Sequence, residues 1–336
     1  MSLRISALAG GLAALTALPA LAQEVNLYSY RQPELLKPLT DAFTEETGIK
    51  VNVAHLDNGM VERLQAEGDR SPADLVFTVD VSRIYEIVEA GLTQPVHSDI
   101  LSQNVPATYH DPEGSWWGLT TRARVVYASK DRVTEGEVTT YEDLADPKWK
   151  GRICTRSGTH PYNVALAAAY LLHHGAEETK TWLEGVKANL ARKPQGNDRA
   201  QVKAIWAGEC DISLGNTYYM GQMLNDPEQV EWAESVNIVF PVFEDGGTHV
   251  NISGVAMTKA APNRDNALKM IEFLSSPKAQ EIYAEANFEY PIAPGSEPAE
   301  LVSGWGTFEA DSLNLMDLAK ARAEALKIIQ TVDFDG

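Results

Sequence analysis

Four of the twelve tyrosines stand where strands of an α/β chain should end. Tyr30 closes the run "EVNLYSY" (24–30), Tyr162 follows the turn "RSGTHP" (156–161), and the adjacent pair Tyr218 and Tyr219 follows "SLGN" (213–216). In open α/β sheets ligands bind outside the carboxyl ends of the strands. Phenols at three such ends can therefore meet in one cleft. An ionised phenol is a hard oxygen donor, suited to a hard, highly charged ion rather than a soft one. With an ordinary pKa of about 10, it ionises at neutral pH only beside a strong positive charge. A trivalent cation supplies that charge, and binding it would release protons. Ferric iron is the common biological ion of this kind, whereas calcium or magnesium would call for carboxylates and carbonyls.

The plainer reading of a strand-end tyrosine is a buried ring with a wet hydroxyl. Tyr28, on the same face as Tyr30 by strand alternation, keeps that reading, and Tyr30 is preferred because it lies nearer the turn. Four phenolates around Fe3+ leave a net negative charge, costly in a half-buried site unless paired. Arg31 and Arg122 are placed to neutralise it, or to hold a small anion that completes the coordination. Their plainer alternative is a salt link at the surface or between lobes. Signatures of nucleophile-elbow hydrolases, zinc proteases, P-loop proteins and dinucleotide-binding proteins are absent from the sequence. The pair His173-His174 precedes Gly175 at a helix end, where its expected role is to offset the helix dipole.

The elements that must position these residues alternate. Strands are expected over 24–30, 49–56 and 73–80, with helices over 33–48, 59–72 and 82–91. Residues 116–133 read as a long extended run, and "TTRARVVY" within it is the candidate crossing between two lobes. A second unit follows: a strand near "RICTRS", helices from 162 to 174, 179 to 190 and 198 to 207, and a strand over 210–216. Strands over 237–242 and 250–259 come next, then helices over 263–275, 277–286 and about 312–330. Strand–helix alternation of this kind implies parallel sheets covered by helices.

Arg4, an apolar run over 5–18 and "ALA" before Gln23 form the pattern of a secretory leader over 1–22. The run is too short to span a bilayer as a helix, so the mature chain is expected to be exported and soluble. What remains exceeds the size at which single cores stop growing, which favours two domains. The formal net charge of −19 repels nucleic acid and anionic lipid. Cys154 and Cys210 are the only cysteines. In an oxidising compartment an even pair suggests a disulfide, and closing so long a loop would add roughly 4 kcal/mol.

Several stretches carry a family resemblance: "VNLYSYRQP" (25–33), "ETGIKVNV" (46–53), "SPADLVFTVD" (71–80), "WGLTTRARVVY" (117–127), "ANLARKPQGNDR" (188–199), "GNTYYMG" (215–221) and "HVNISGV" (249–255). Along nearly its whole length the mature chain resembles the periplasmic ferric-iron-binding proteins of ABC importers, the bacterial transferrins. The resemblance implies a type II periplasmic binding protein: two α/β lobes, each a mostly parallel sheet flanked by helices, with the ligand cleft between them. It places an N-terminal lobe at 23–122 plus about 250–292, a C-terminal lobe at 123–249, and a helical segment, 293–336, mainly on the latter. It carries metal tyrosines onto Tyr162, Tyr218 and Tyr219, and Tyr30 with them. Many relatives read "RHY" after the first strand, supplying a His or Tyr ligand. Here the place reads Arg31-Gln32-Pro33, which favours Tyr30 and leaves a three-tyrosine site completed by an anion or water as the alternative. The implied function is capture of Fe3+ and delivery to an ABC permease and its ATPase, by a monomer. The competing readings are an organic-solute binder of the same fold, for a polyamine, sugar or phosphonate, and a secreted enzyme.

Overall fold

Apolar residues spaced for a helix and alternating for strands build the first lobe of the computed structural model, which describes residues 23–336. The expected leader, 1–22, lies outside the described residues. Strand β1 (Glu24–Ser29) pairs in parallel with β2 (Lys50–His55) and with β3 (Leu75–Thr78). The helix Pro33–Thr47 buries Leu36, Leu39 and Phe43, opens on a proline and closes on Gly48 in the left-handed region. Those side chains share a core with Leu27, Phe77 and Tyr283.

The long strand β4 (Trp117–Ser129) is buried along its whole length. Its first half pairs antiparallel with β8 (Val250–Met257), which in turn pairs with β3. Its second half pairs antiparallel with β6 (Ile212–Asn216) and with β7 (Val236–Val239). Beyond β6 lies β5 (Ile153–Cys154), in parallel. The short β9 (Tyr290–Pro291) joins β4 at Thr120 and Thr121. The main strand order is thus β2-β1-β3-β8-β4-β6-β5. The segment "TTRARVVY" does cross from one half of the sheet to the other. The outer strands follow the parallel expectation; the pairings around β4 are antiparallel, because β4 and β8 run past each other between the halves.

Cys154 and Cys210 form the expected disulfide, with Cα atoms 5.8 Å apart. It ties β5 to the start of β6, the two strands whose ends lead to Tyr162 and to the Tyr218–Tyr219 pair. The helix Leu315–Thr331 packs along Pro161–His174 and also reaches Val81–Glu89. His173 and His174 do more than sit at a helix end. His173 bonds Asp245 and Asp311 at 2.8 and 2.7 Å, and His174 bonds Glu142 at 2.6 Å. Among the described residues no helix is long and apolar enough to cross a membrane.

Candidate metal centre

Tyr162 owes its position to a helix start. Pro161 opens the helix Pro161–His174, and the His160 ring accepts the Tyr162 N–H at 3.2 Å. Burial first, then the nearby Arg156 and Arg124, lower the His160 pKa to about 3. The ring is therefore neutral and free to accept. Tyr218 and Tyr219 begin the helix Tyr218–Leu224, two residues past the end of β6. Consecutive helical side chains diverge by about 100°, so neighbouring rings can approach one point from different directions. In a regular strand they would face opposite ways.

The Tyr162 and Tyr218 hydroxyls lie 3.1 Å apart, and the Tyr218 and Tyr219 rings have centroids 4.3 Å apart. All three line one cavity of about 380 Å³ together with Tyr30, Arg31 and Arg122. Tyr30 reaches it from the opposite wall. Its backbone N–H bonds Phe77 O, its hydroxyl accepts the Met60 N–H at 3.1 Å, and the Arg83 guanidinium covers its ring at 4.0 Å. Tyr28 is turned elsewhere: its hydroxyl donates to Glu67 at 2.8 Å.

Arg31 and Arg122 meet on the cavity floor. Arg31 donates to Glu289 at 2.5 Å and to Ser253 at 2.9 Å, and Arg122 donates to Ser253 at 3.2 Å. Arg122 is 2% exposed, yet its Nε and one terminal nitrogen have no partner among the described residues. Burial pushes the Glu289 carboxyl up, but Arg31, Arg122 and the Thr120 hydroxyl outweigh it and hold it below the usual range. Two cations and one carboxylate leave one positive charge at the floor, with free donors to offer an anion.

Burial holds the Tyr218, Tyr219 and Tyr30 phenols neutral without a metal. Burial pushes Tyr218 well above its ordinary value, Tyr162 and Tyr219 add to the shift, and Arg122 opposes it. Burial and Tyr162 raise Tyr219 as well. Tyr30 is raised by burial and only partly relieved by the Met60 N–H and Arg83. A bound cation of high charge must supply what ionisation needs. Among the described residues no group of three His, Cys, Asp or Glu side chains could hold a metal ion. The phenols are the donor set that the fold gathers. Glu289, Arg83 and His160 line the same cavity and were missed in the sequence; His160 had a signal, since it precedes a proline at a helix start.

Two α/β halves joined by crossing strands, with a polar cleft at the ends of their strands, define a two-lobed solute-binding protein. The model of the family described as bacterial extracellular solute-binding protein matches residues 70–304. The chain is 46% identical over 314 residues to iron uptake protein A1 of Synechocystis sp., covering 93% of this chain and 87% of that protein. Its structure superposes with a TM-score of 0.90 on the apo ferric ion-binding protein A of Pasteurella haemolytica, at 54% identity, covering 94% and 99% of the two chains. With the Trichodesmium protein solved in complex with iron and citrate the TM-score is 0.88, at 41% identity, covering 93% and 99%. The chain belongs to the bacterial extracellular solute-binding protein family.

Proposed function

We propose that this protein captures Fe3+ in the periplasm through the phenolates of Tyr162, Tyr218 and Tyr219 and delivers it to an ABC permease driven by an ATPase. It acts as a carrier and not an enzyme, and as a monomer. The observation that carries the reading is the approach of the Tyr162 and Tyr218 hydroxyls to 3.1 Å beside the third ring. Three phenolates neutralise one ferric ion. The remaining positions fall to the opposite wall: to Tyr30, or to a small anion or water held by Arg31 and Arg122. The Met60 N–H on the Tyr30 oxygen favours its anion, which suits a ligand; the unpartnered donors of Arg122 suit an anion equally. The two lobes in this reading are 23–122 with about 250–292, and 123–249, with 293–336 mainly on the second. An iron uptake protein at 46% identity and a ferric ion-binding protein at 54% support the cargo, and the −19 charge argues against nucleic acid as a partner.

Phenolate–ferric bonds absorb visible light by charge transfer. Titration of the protein with a ferric chelate is expected to produce a visible band, and Tyr218→Phe or Tyr219→Phe to weaken and shift it. A ferric complex without that band, or a band indifferent to both substitutions, would refute the assignment.

A further inference from the structure

Arg124 lies two residues beyond Arg122 on the same face of β4, buried behind the phenols and outside the cavity lining. A guanidinium in a fully buried strand must be paired, and the pairing here is specific. One terminal nitrogen donates to Asp198 at 2.6 Å and to Asn216 Oδ1 at 3.0 Å; the other donates to Asn163 Oδ1 at 2.7 Å. Asn163 directly follows Tyr162, and Asn216 stands two residues before Tyr218. The remaining groups close the frame. The Asn163 amide donates to Thr155, Arg156 and Ser157, each at 3.1 Å, which pins the first turn of the Tyr162 helix. Asp198, wholly buried, also takes Arg156 at 3.1 Å and the Asn216 N–H at 3.2 Å. The Asn216 amide reaches the Tyr218 hydroxyl at 3.5 Å, and the Asn216 carbonyl accepts the Tyr127 hydroxyl at 2.6 Å.

Resting on the ferric reading above, we propose that Arg124 is a positioning residue that sets the separation of Tyr162 and Tyr218. Its planar fork bridges the neighbours of both ligands at once, with Asp198 holding the fork in plane. A single ammonium point charge cannot reproduce three divergent bonds of this kind. Groups that orient metal ligands without touching the metal typically contribute 10- to 100-fold in metal affinity.

The test compares wild type, Arg124→Lys, Asn163→Ala and Asn163→Asp in the full mature chain, each loaded from a ferric chelate. The readouts are the visible charge-transfer band, ferric affinity by chelator competition, and the melting temperature of the iron-free protein. Lysine keeps the charge and loses the fork. Arg124→Lys is expected to bind iron roughly 10- to 100-fold more weakly with a displaced band. Asn163→Ala leaves the Arg124–Asp198 pair intact and is expected to shift the band in the same direction; Asn163→Asp, which keeps an oxygen for Arg124 and loses the amide donors to Thr155, Arg156 and Ser157, is expected to shift it less, and that comparison decides the matter should Arg124→Lys not fold. A coloured wild type with unchanged band and affinity in the folded variants overturns the positioning role. A wild type that never colours would instead strike the ferric reading itself.

Discussion

At the scale of single residues, the proposed ferric site turns on buried phenols that would become anionic on taking up the metal. Burial raises Tyr218 and Tyr219, so their protons leave only when a metal takes their place. Iron loading must then consume base. Three ligating phenols predict release of about three protons per ferric ion, and recruitment of Tyr30 about four, because each ligand binds deprotonated. The count is measurable in weakly buffered solution near neutral pH, after correction for the chelate. The sign follows: affinity falls as pH falls, since protons compete for the same oxygens. Release of no protons would contradict phenolate ligation. Arg122 makes a separate prediction. Arg122→Gln should leave the band in place while removing any gain in affinity that carbonate or citrate gives the wild type, read by competition titration with and without the anion. An undiminished gain would remove Arg122 from the anion site.

At the scale of elements, two strand ends and two helix starts do the positioning. The helix Tyr218–Leu224 lies close against Phe288, whose ring occupies the space a Cβ on Gly221 would need. Gly221→Ala should therefore shift the tyrosine pair and destabilise the protein by about 1–3 kcal/mol, seen as a lower denaturation midpoint and a perturbed ferric band. A variant as stable as wild type would mean the helix can slide without cost. Replacing both Cys154 and Cys210 by serine unties the end of β5 from the start of β6, and should cost roughly 4 kcal/mol by the chain-entropy account. Equal denaturant midpoints would refute that contribution. Most of these elements were legible in the sequence. The helices at 33–48 and 263–275, the strands at 24–30 and 250–259, and the crossing "TTRARVVY" show period and length plainly. The helix at Tyr218 was not legible, because "YYMGQML" carries no cap and its only glycine lies inside it. The Arg124 frame was equally hidden. "RAR" in a strand announces two buried cations, but which carboxylates and amides meet them depends on β6 and the 198–206 helix folding back.

At the scale of the whole molecule, the ligands are divided unequally. Tyr162, Tyr218 and Tyr219 all come from elements beyond the β4 crossing, while the segments just after β1 and just before β9 contribute Tyr30, Arg31 and Glu289. One half thus offers a gathered donor set, and facing it Arg31 and Glu289, together with Arg122 on β4, leave one net positive charge. Closure of such lobes is a population shift paid for by contacts the ligand makes with both. The account rests on three phenolic oxygens on one side of the cleft meeting a single ferric ion. A crystal structure of the ferric-loaded protein tests it most directly. The account predicts iron bonded to the oxygens of Tyr162, Tyr218 and Tyr219, with the remaining positions filled from the Tyr30 and Arg122 wall. Iron seated elsewhere, or these three hydroxyls left unbonded beside it, would contradict it.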